Sequence, residues 1–227
     1  MHIEAGVVDG AKMLLSYGTG VAVIGTTVKV ALDNMKENGV ISLFLKSIIA
    51  TIIVFCCFEV LPHYPIGVSE VHLILGTTIF LVFGIAPAAI GLAMGLLIQG
   101  LFFAQFDLPQ YGINVTTLLA SMFILNLAVQ KIIPSGTAYK DISYSQMLKM
   151  SIVWEGAIVS WVAFWALYGQ GFGTENLSEI FSFGSAYMSV VIIEPLVDMA
   201  VLSAVKAYRK TENCSYLFDK KLCEARV

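Results

Sequence analysis

Three histidines occur among 227 residues, and two of them have the setting of metal ligands. His2 adjoins Met1, and His72 opens a long run without charge. A second-position histidine can chelate through the α-amine of residue 1, its own deprotonated amide nitrogen and its imidazole. Those three nitrogens lie in one plane through fused rings. An imidazole from His72 would supply a fourth, and four nitrogens in a plane suit Ni(II) or Cu(II). The free amine has a reference pKa of about 7.7–8.0, so binding is favoured as pH rises. The large side chain of His2 predicts that Met1 is retained and that its amine is the mature N-terminus. The plainer alternatives are a frayed terminus carrying an incidental histidine and a helix-end histidine at headgroup level. His63, in Pro62-His63-Tyr64-Pro65, reads as a loop residue and not as a ligand. The amides Gln99 and Asn114 could hold a loop or orient a ligand histidine through its second ring nitrogen.

These residues must be positioned by membrane helices. The chain is 58% hydrophobic and 13% charged, with a mean hydropathy of +0.83. A soluble domain would carry about 25% charged residues. Net charge is -3, and no basic patch could track a phosphate backbone, so nucleic acid is excluded as a partner. Residues 1–11 lack the basic residue of a cleavable signal. Cys56, Cys57, Cys214 and Cys223 have no CxxC spacing, so neither a zinc site nor a redox pair is expected.

A bilayer needs about 20 apolar residues per helix. The pattern predicts an all-α polytopic membrane protein of about seven transmembrane helices. They run from about Asp9 to Asp33, Ile41 to Leu61, His72 to Phe83, Pro87 to Gln105, Ile113 to Ile133, Met147 to Tyr168, and Ile180 to Tyr208. The third is short for a span, and Gly84 is the natural break after it. Residues 1–210 are read as a substrate-binding membrane domain and 211–227 as a charged cytoplasmic tail. Lys29, Lys36, Lys131, Lys140, Lys149, Lys206, Arg209 and Lys210 fall on alternate connections, which the positive-inside rule assigns to the cytoplasm. The N-terminus is then outside, inserted toward the helix bundle. It shares that face with the segments 69–72 and 107–114. The expected location is the inner (plasma) membrane.

Glu155, Glu194 and Asp198 fall inside the sixth and seventh helices and need partners or an aqueous cavity. Glu155, nearer the cytoplasmic end, reads as a packing or partner contact. The three acids also allow a different class of function, a proton-coupled secondary carrier. A third class is a membrane haem protein with His63 and His72 as axial ligands. Gly91-Leu-Ala-Met-Gly95 is a close-packing motif.

Several motifs resemble the CbiM/NikM substrate-specific components of energy-coupling-factor cobalt and nickel transporters. They are Met1-His2-Ile3 with a following acid and Gly6; Gly67-Val68-Ser69; His72-Leu73; Gly84 to Ala88; Gln99 to Phe103; Leu108; and Gly112-Ile113-Asn114. The last-helix stretch Val191 to Val201 is similar too. The resemblance implies that Met1, His2 and His72 bind Co2+ or Ni2+, with Ser69, Gln99 and Asn114 around them. It implies no resident cofactor and no catalytic residue. It also implies a transmembrane coupling subunit and two ATPase subunits as partners. This chain lacks the Gly-x-x-x-x-Gly-Lys-Ser/Thr phosphate loop of an ATPase. Departures are Ala5, the Glu70-Val71 pair before His72 where the family often has one Gly, and Tyr187-Met188 where it has a histidine.

Overall fold

The computed structural model describes residues 2–208 and 217–222. Met1, Arg209, Lys210, Cys214 and Cys223 lie outside the described residues. Seven α-helices dominate: α1 Met13–Asn38, α2 Val40–Phe55, α3 Gly76–Phe83, α4 Ile85–Phe102, α5 Tyr111–Ile132, α6 Tyr144–Gln170 and α7 Thr174–Tyr208. All but α3 belong to segments long and apolar enough to cross a membrane. α2 packs on α4, α1 on α5, α5 on α6, and α6 on α7. α4 and α5 are the most enclosed of the spans, and α1 the most open.

Local chemistry explains the starts of the last two helices. Ser143 caps α6 in a reciprocal pair with Gln146: the Gln146 amide donates to Ser143 Oγ, and the Ser143 amide donates to Gln146 Oε1 at 2.8 Å. α7 starts at Thr174 rather than Ile180, because a polar first turn extends the helix beyond its apolar run. Pro195 lies inside α7, where it removes one backbone donor.

The stretch between α2 and α3 departs from the helical expectation. α2 continues into a π-helical turn, Cys56–Val60. Next comes an antiparallel hairpin of β1 Tyr64–Ile66 and β2 Ser69–Val71, with Ile66 opposite Ser69. Gly67 makes its turn at φ 62°, and a Cβ there would collide with the backbone of Glu179. The third helix begins at Gly76, not at His72. Residues 72–75 are not helical, and Leu75 sits in the left-handed region at φ 57°, a strained place for a branched side chain.

At 1.5 Å per residue, eight-residue α3 is only about 12 Å long, so it does not span the bilayer as a helix. Residues 72–83 nevertheless link the two ends of the bundle. His72 lies at one end with His2. At the other, Gly84 abuts Asp219, and both line a cavity of about 370 Å³ with Asn34, Glu37, Asn38, Tyr139, Lys220 and Lys221. Part of the charged tail returns to the bundle: the Asp219 amide donates to the Val82 carbonyl at 2.8 Å, and Leu222 is buried.

Candidate metal centre

The first described residues pair with β2 through one isolated β-bridge. Ile3 bridges Ser69 in antiparallel fashion on the edge of β2 away from β1. The Glu70 amide donates to the His2 carbonyl at 3.0 Å, and the Glu4 amide to the Val68 carbonyl at 3.1 Å. Side chains fasten the same segment. Ser69 Oγ donates to the His2 carbonyl at 2.9 Å, Asn114 Oδ1 accepts from the Ile3 amide at 3.0 Å, and Gln110 donates to the Glu4 carbonyl at 3.2 Å. A terminus usually frays; this segment is held by backbone and side-chain partners, with Ile3 fully enclosed.

That pairing brings His2 against His72, with ring centroids 5.2 Å apart. Glu70 and His72 are two residues apart in near-extended chain, so they share a face. Glu70 Oε2 lies 2.9 Å from His2 Nδ1 and 3.0 Å from His72 Nε2. One carboxylate oxygen therefore sits where both ring nitrogens point. The three ligand atoms lie within 4.8 Å of one another, the one such grouping of His, Cys, Asp and Glu found among the described residues. Phe58, carried by the π-helical turn, sets its ring edgewise to both imidazoles at 5.5 and 5.4 Å. π-Turns inside helices often re-aim side chains at functional sites.

Both imidazoles are kept neutral. Burial pushes the His2 pKa down to about 4, against the opposing pull of the Glu70 hydrogen bond. Burial lowers His72 as well. Burial alone would raise Glu70, but the hydrogen bonds from His2 and His72 outweigh it and hold its carboxyl well below the usual carboxylate range. The result is two neutral nitrogen ligands around a fixed negative charge, an arrangement that attracts a cation. Glu4 and Asp107 lie near enough to interact electrostatically with Glu70. With Asn114 and His2, Asp107 also lines a small cavity beside the site.

Of the residues singled out in the sequence, His2, Ser69, His72 and Asn114 meet here. Gln99, also buried, donates to Glu59 Oε2 at 3.3 Å and lies beside the His2 ring. Met1 falls outside the described residues. His63 stacks on His72 at 4.9 Å and 14°, which leaves no slot for a porphyrin between the two. Glu155 is fully buried, so it is not a surface for a partner. It faces Glu194 and Tyr187 across the α6–α7 contact. Sequence reasoning missed Glu70, treating it as an insertion before His72. The two-residue spacing of a strand was the signal that could have found it.

Residues 2–212 match the model of the CbiM family, described as the cobalt uptake substrate-specific transmembrane region. No curated protein matches the chain. Two solved structures are similar in fold. One, described as a truncated transition metal transporter, is 17% identical with a TM-score of 0.65, covering 92% of this chain and 99% of its own. The other, described as a transition metal transporter, is 18% identical with a TM-score of 0.66, covering 94% of this chain and 95% of its own. The chain belongs to the CbiM family and is a multi-pass membrane component of metal transport, not an enzyme.

Proposed function

We propose that this chain is the substrate-capture subunit of an ATP-driven energy-coupling-factor importer for Co2+ or Ni2+. The observation that carries the reading is the buried convergence of His2 Nδ1 and His72 Nε2 on one point. The ion binds through the Met1 amine, the amide and ring of His2, and the ring of His72. Ser69 and Asn114 hold the terminal strand in register, while Gln99 and Glu59 back the site. Residues 1–210 form the membrane domain, with the metal end outside the inner (plasma) membrane and the tail from 211 in the cytoplasm. ATP hydrolysis belongs to two partner ATPase chains, joined through a transmembrane coupling subunit, since this sequence has no phosphate loop.

Metal analysis of the purified protein tests the site. One Co2+ or Ni2+ per chain is expected, lost in His2→Ala and His72→Ala. A residue added before Met1 turns the Met1 amine into a peptide nitrogen and should abolish uptake. Undiminished uptake by the extended protein would sink the proposal.

The buried acids Glu155, Glu194 and Asp198 support a second reading, a proton-coupled carrier. That reading requires uptake that collapses with the proton gradient and survives ATPase loss. Uptake that depends on the ATPase chains and persists without the gradient rejects it.

A further inference from the structure

Short α3 is set between two residues in the left-handed region. Leu75 precedes it at φ 57°, and Gly84 ends it at φ 86°. A branched side chain persists at such an angle only where its surroundings hold it there. The start of α3 is held from two sides. Asp198 Oδ1 on α7 accepts from Thr78 Oγ1, and the Trp154 ring on α6 lies so close that a Cβ on Gly76 would collide with it. The end of α3 is held by the tail. The Asp219 amide donates to the Val82 carbonyl at 2.8 Å, one of the carbonyls that a helix end leaves without an internal partner. Asp219 Oδ2 lies against Gly84, where it would meet any added Cβ. Asp219 Oδ1 accepts from the Lys221 amide at 2.8 Å and fixes the turn. Leu222 is fully buried, and the turn Lys220–Leu222 packs against both α3 and the turn Tyr139–Asp141. Residues 217–222 lie past the stretch 2–212 that the family matches.

We propose that residues 217–222 are a latch that couples the far end of the bundle to the metal centre through α3. This rests on the reading of His2 and His72 as ligands and adds a control to it. His72 stands three residues before Leu75, on a link that is not helical. Eight residues make about two helical turns, a rigid pin. With the latch docked, both ends of the pin are fixed. Leu75 keeps its left-handed angle, and the His72 ring keeps its place 5.2 Å from that of His2. With the latch out, the Val82 carbonyl loses its partner and Gly84 loses the wall that Asp219 makes. A glycine rotates freely, so the pin gains a hinge at that end. It can then shift, Leu75 relaxes, and His72 moves off His2. An ion held by both rings favours the docked latch, and by reciprocity the docked latch favours the ion by the same factor. Withdrawal of the tail therefore loosens the ion from the opposite face without touching the site.

The test uses the full-length protein with its four native cysteines replaced and Leu222→Cys as the single thiol. That thiol is shielded while the latch is docked. Saturating Co2+ should slow its reaction with a maleimide at least about 5-fold, the low end of ordinary coupling between sites. The adduct, once formed, is too large for the buried seat and holds the latch open. Its Co2+ affinity should be lower by the same factor. Asp219→Ala, with Leu222 kept, should lower Co2+ affinity in the same direction, whereas Lys220→Ala, an exposed neighbour, should leave it unchanged. His72→Ala separates coupling from cobalt bound at the thiol: Co2+ should no longer slow the labelling. Slowing that persists in His72→Ala overturns the latch. So does an adduct or an Asp219→Ala variant that binds Co2+ as tightly as its parent. Native protein that binds no Co2+ at all instead overturns the capture function, and the coupling with it.

Discussion

Asn114 is a single amide whose loss should be felt at the metal. It accepts from the Ile3 amide inside the protein, and an orphaned buried donor costs about 1–3 kcal/mol. Asn114→Ala should therefore loosen the terminal strand and lower Co2+ affinity roughly 10–100-fold. Binding assays, together with faster proteolysis near residue 4, would check this. Acid should do the same to the metal-free protein. His2 titrates near 6.5 when released and about 4 when docked, so the docked form loses stability as pH falls from 6.5 to 4. Glu70, depressed in the folded state, adds a loss that sets in below its ordinary value of 4.5. Both contributions are fully present at pH 7. Protection of the Ile3 amide from hydrogen exchange should fall over that window; constant protection from pH 7 to 4 would refute the assignment of neutral, buried rings. At this scale the histidines and Asn114 were legible because they are rare residue types. Glu70 was not, because a carboxylate beside a loop looks like ordinary surface charge until the strand geometry is known.

Among the elements, close approach of helices governs stability. A Cβ on Gly91 would lie 2.6 Å from the Ala50 Cβ, and one on Gly95 2.6 Å from Val54 Cγ1. These two positions let α4 press against α2, as the small-residue motif predicted. Gly91→Val should separate the pair and cost about 1–3 kcal/mol by overpacking, seen as a lower unfolding midpoint in detergent. Gly112 plays the same part between α1 and α5, where an added Cβ would meet the Ser16 carbonyl oxygen at 2.9 Å. Because Gly112 lies two residues before Asn114, Gly112→Val should weaken metal binding as well as stability, whereas Gly91→Val should spare affinity in the surviving folded fraction. The six long helices were legible from hydropathy, and the break at Gly84 from its glycine. The hairpin was not. Its strands have three residues each, Pro65 sits in one of them, and their partner is the chain terminus, so no local period marks them.

For the molecule as a whole, parity of crossing decides where the ends lie. Residues 72–83 carry the chain across with only eight helical residues, so an odd number of crossings separates the metal end from Asp219. Of single cysteines placed at Gln105 and at Lys140, in a background lacking the native cysteines, one should react with an impermeant thiol reagent in intact cells and the other only after the membrane is opened. Labelling of both from one side would disprove the crossing. The charge asymmetry of the loops pointed to this arrangement, but the return of Asp219 and Leu222 to α3 was invisible in a tail that reads as solvated charge.

The terminal strand has a consequence for synthesis. Residues 2–4 leave the ribosome well before their partners Ser69, Glu70 and Asn114, with 111 positions separating Ile3 from Asn114. The opening segment lacks its full set of partners until α1 to α5 have been threaded into the bilayer. Only then is its slot complete. Completion of the binding centre is thus a late quality mark on the nascent protein: copies stalled before α5 is inserted hold His2 but no seat for it.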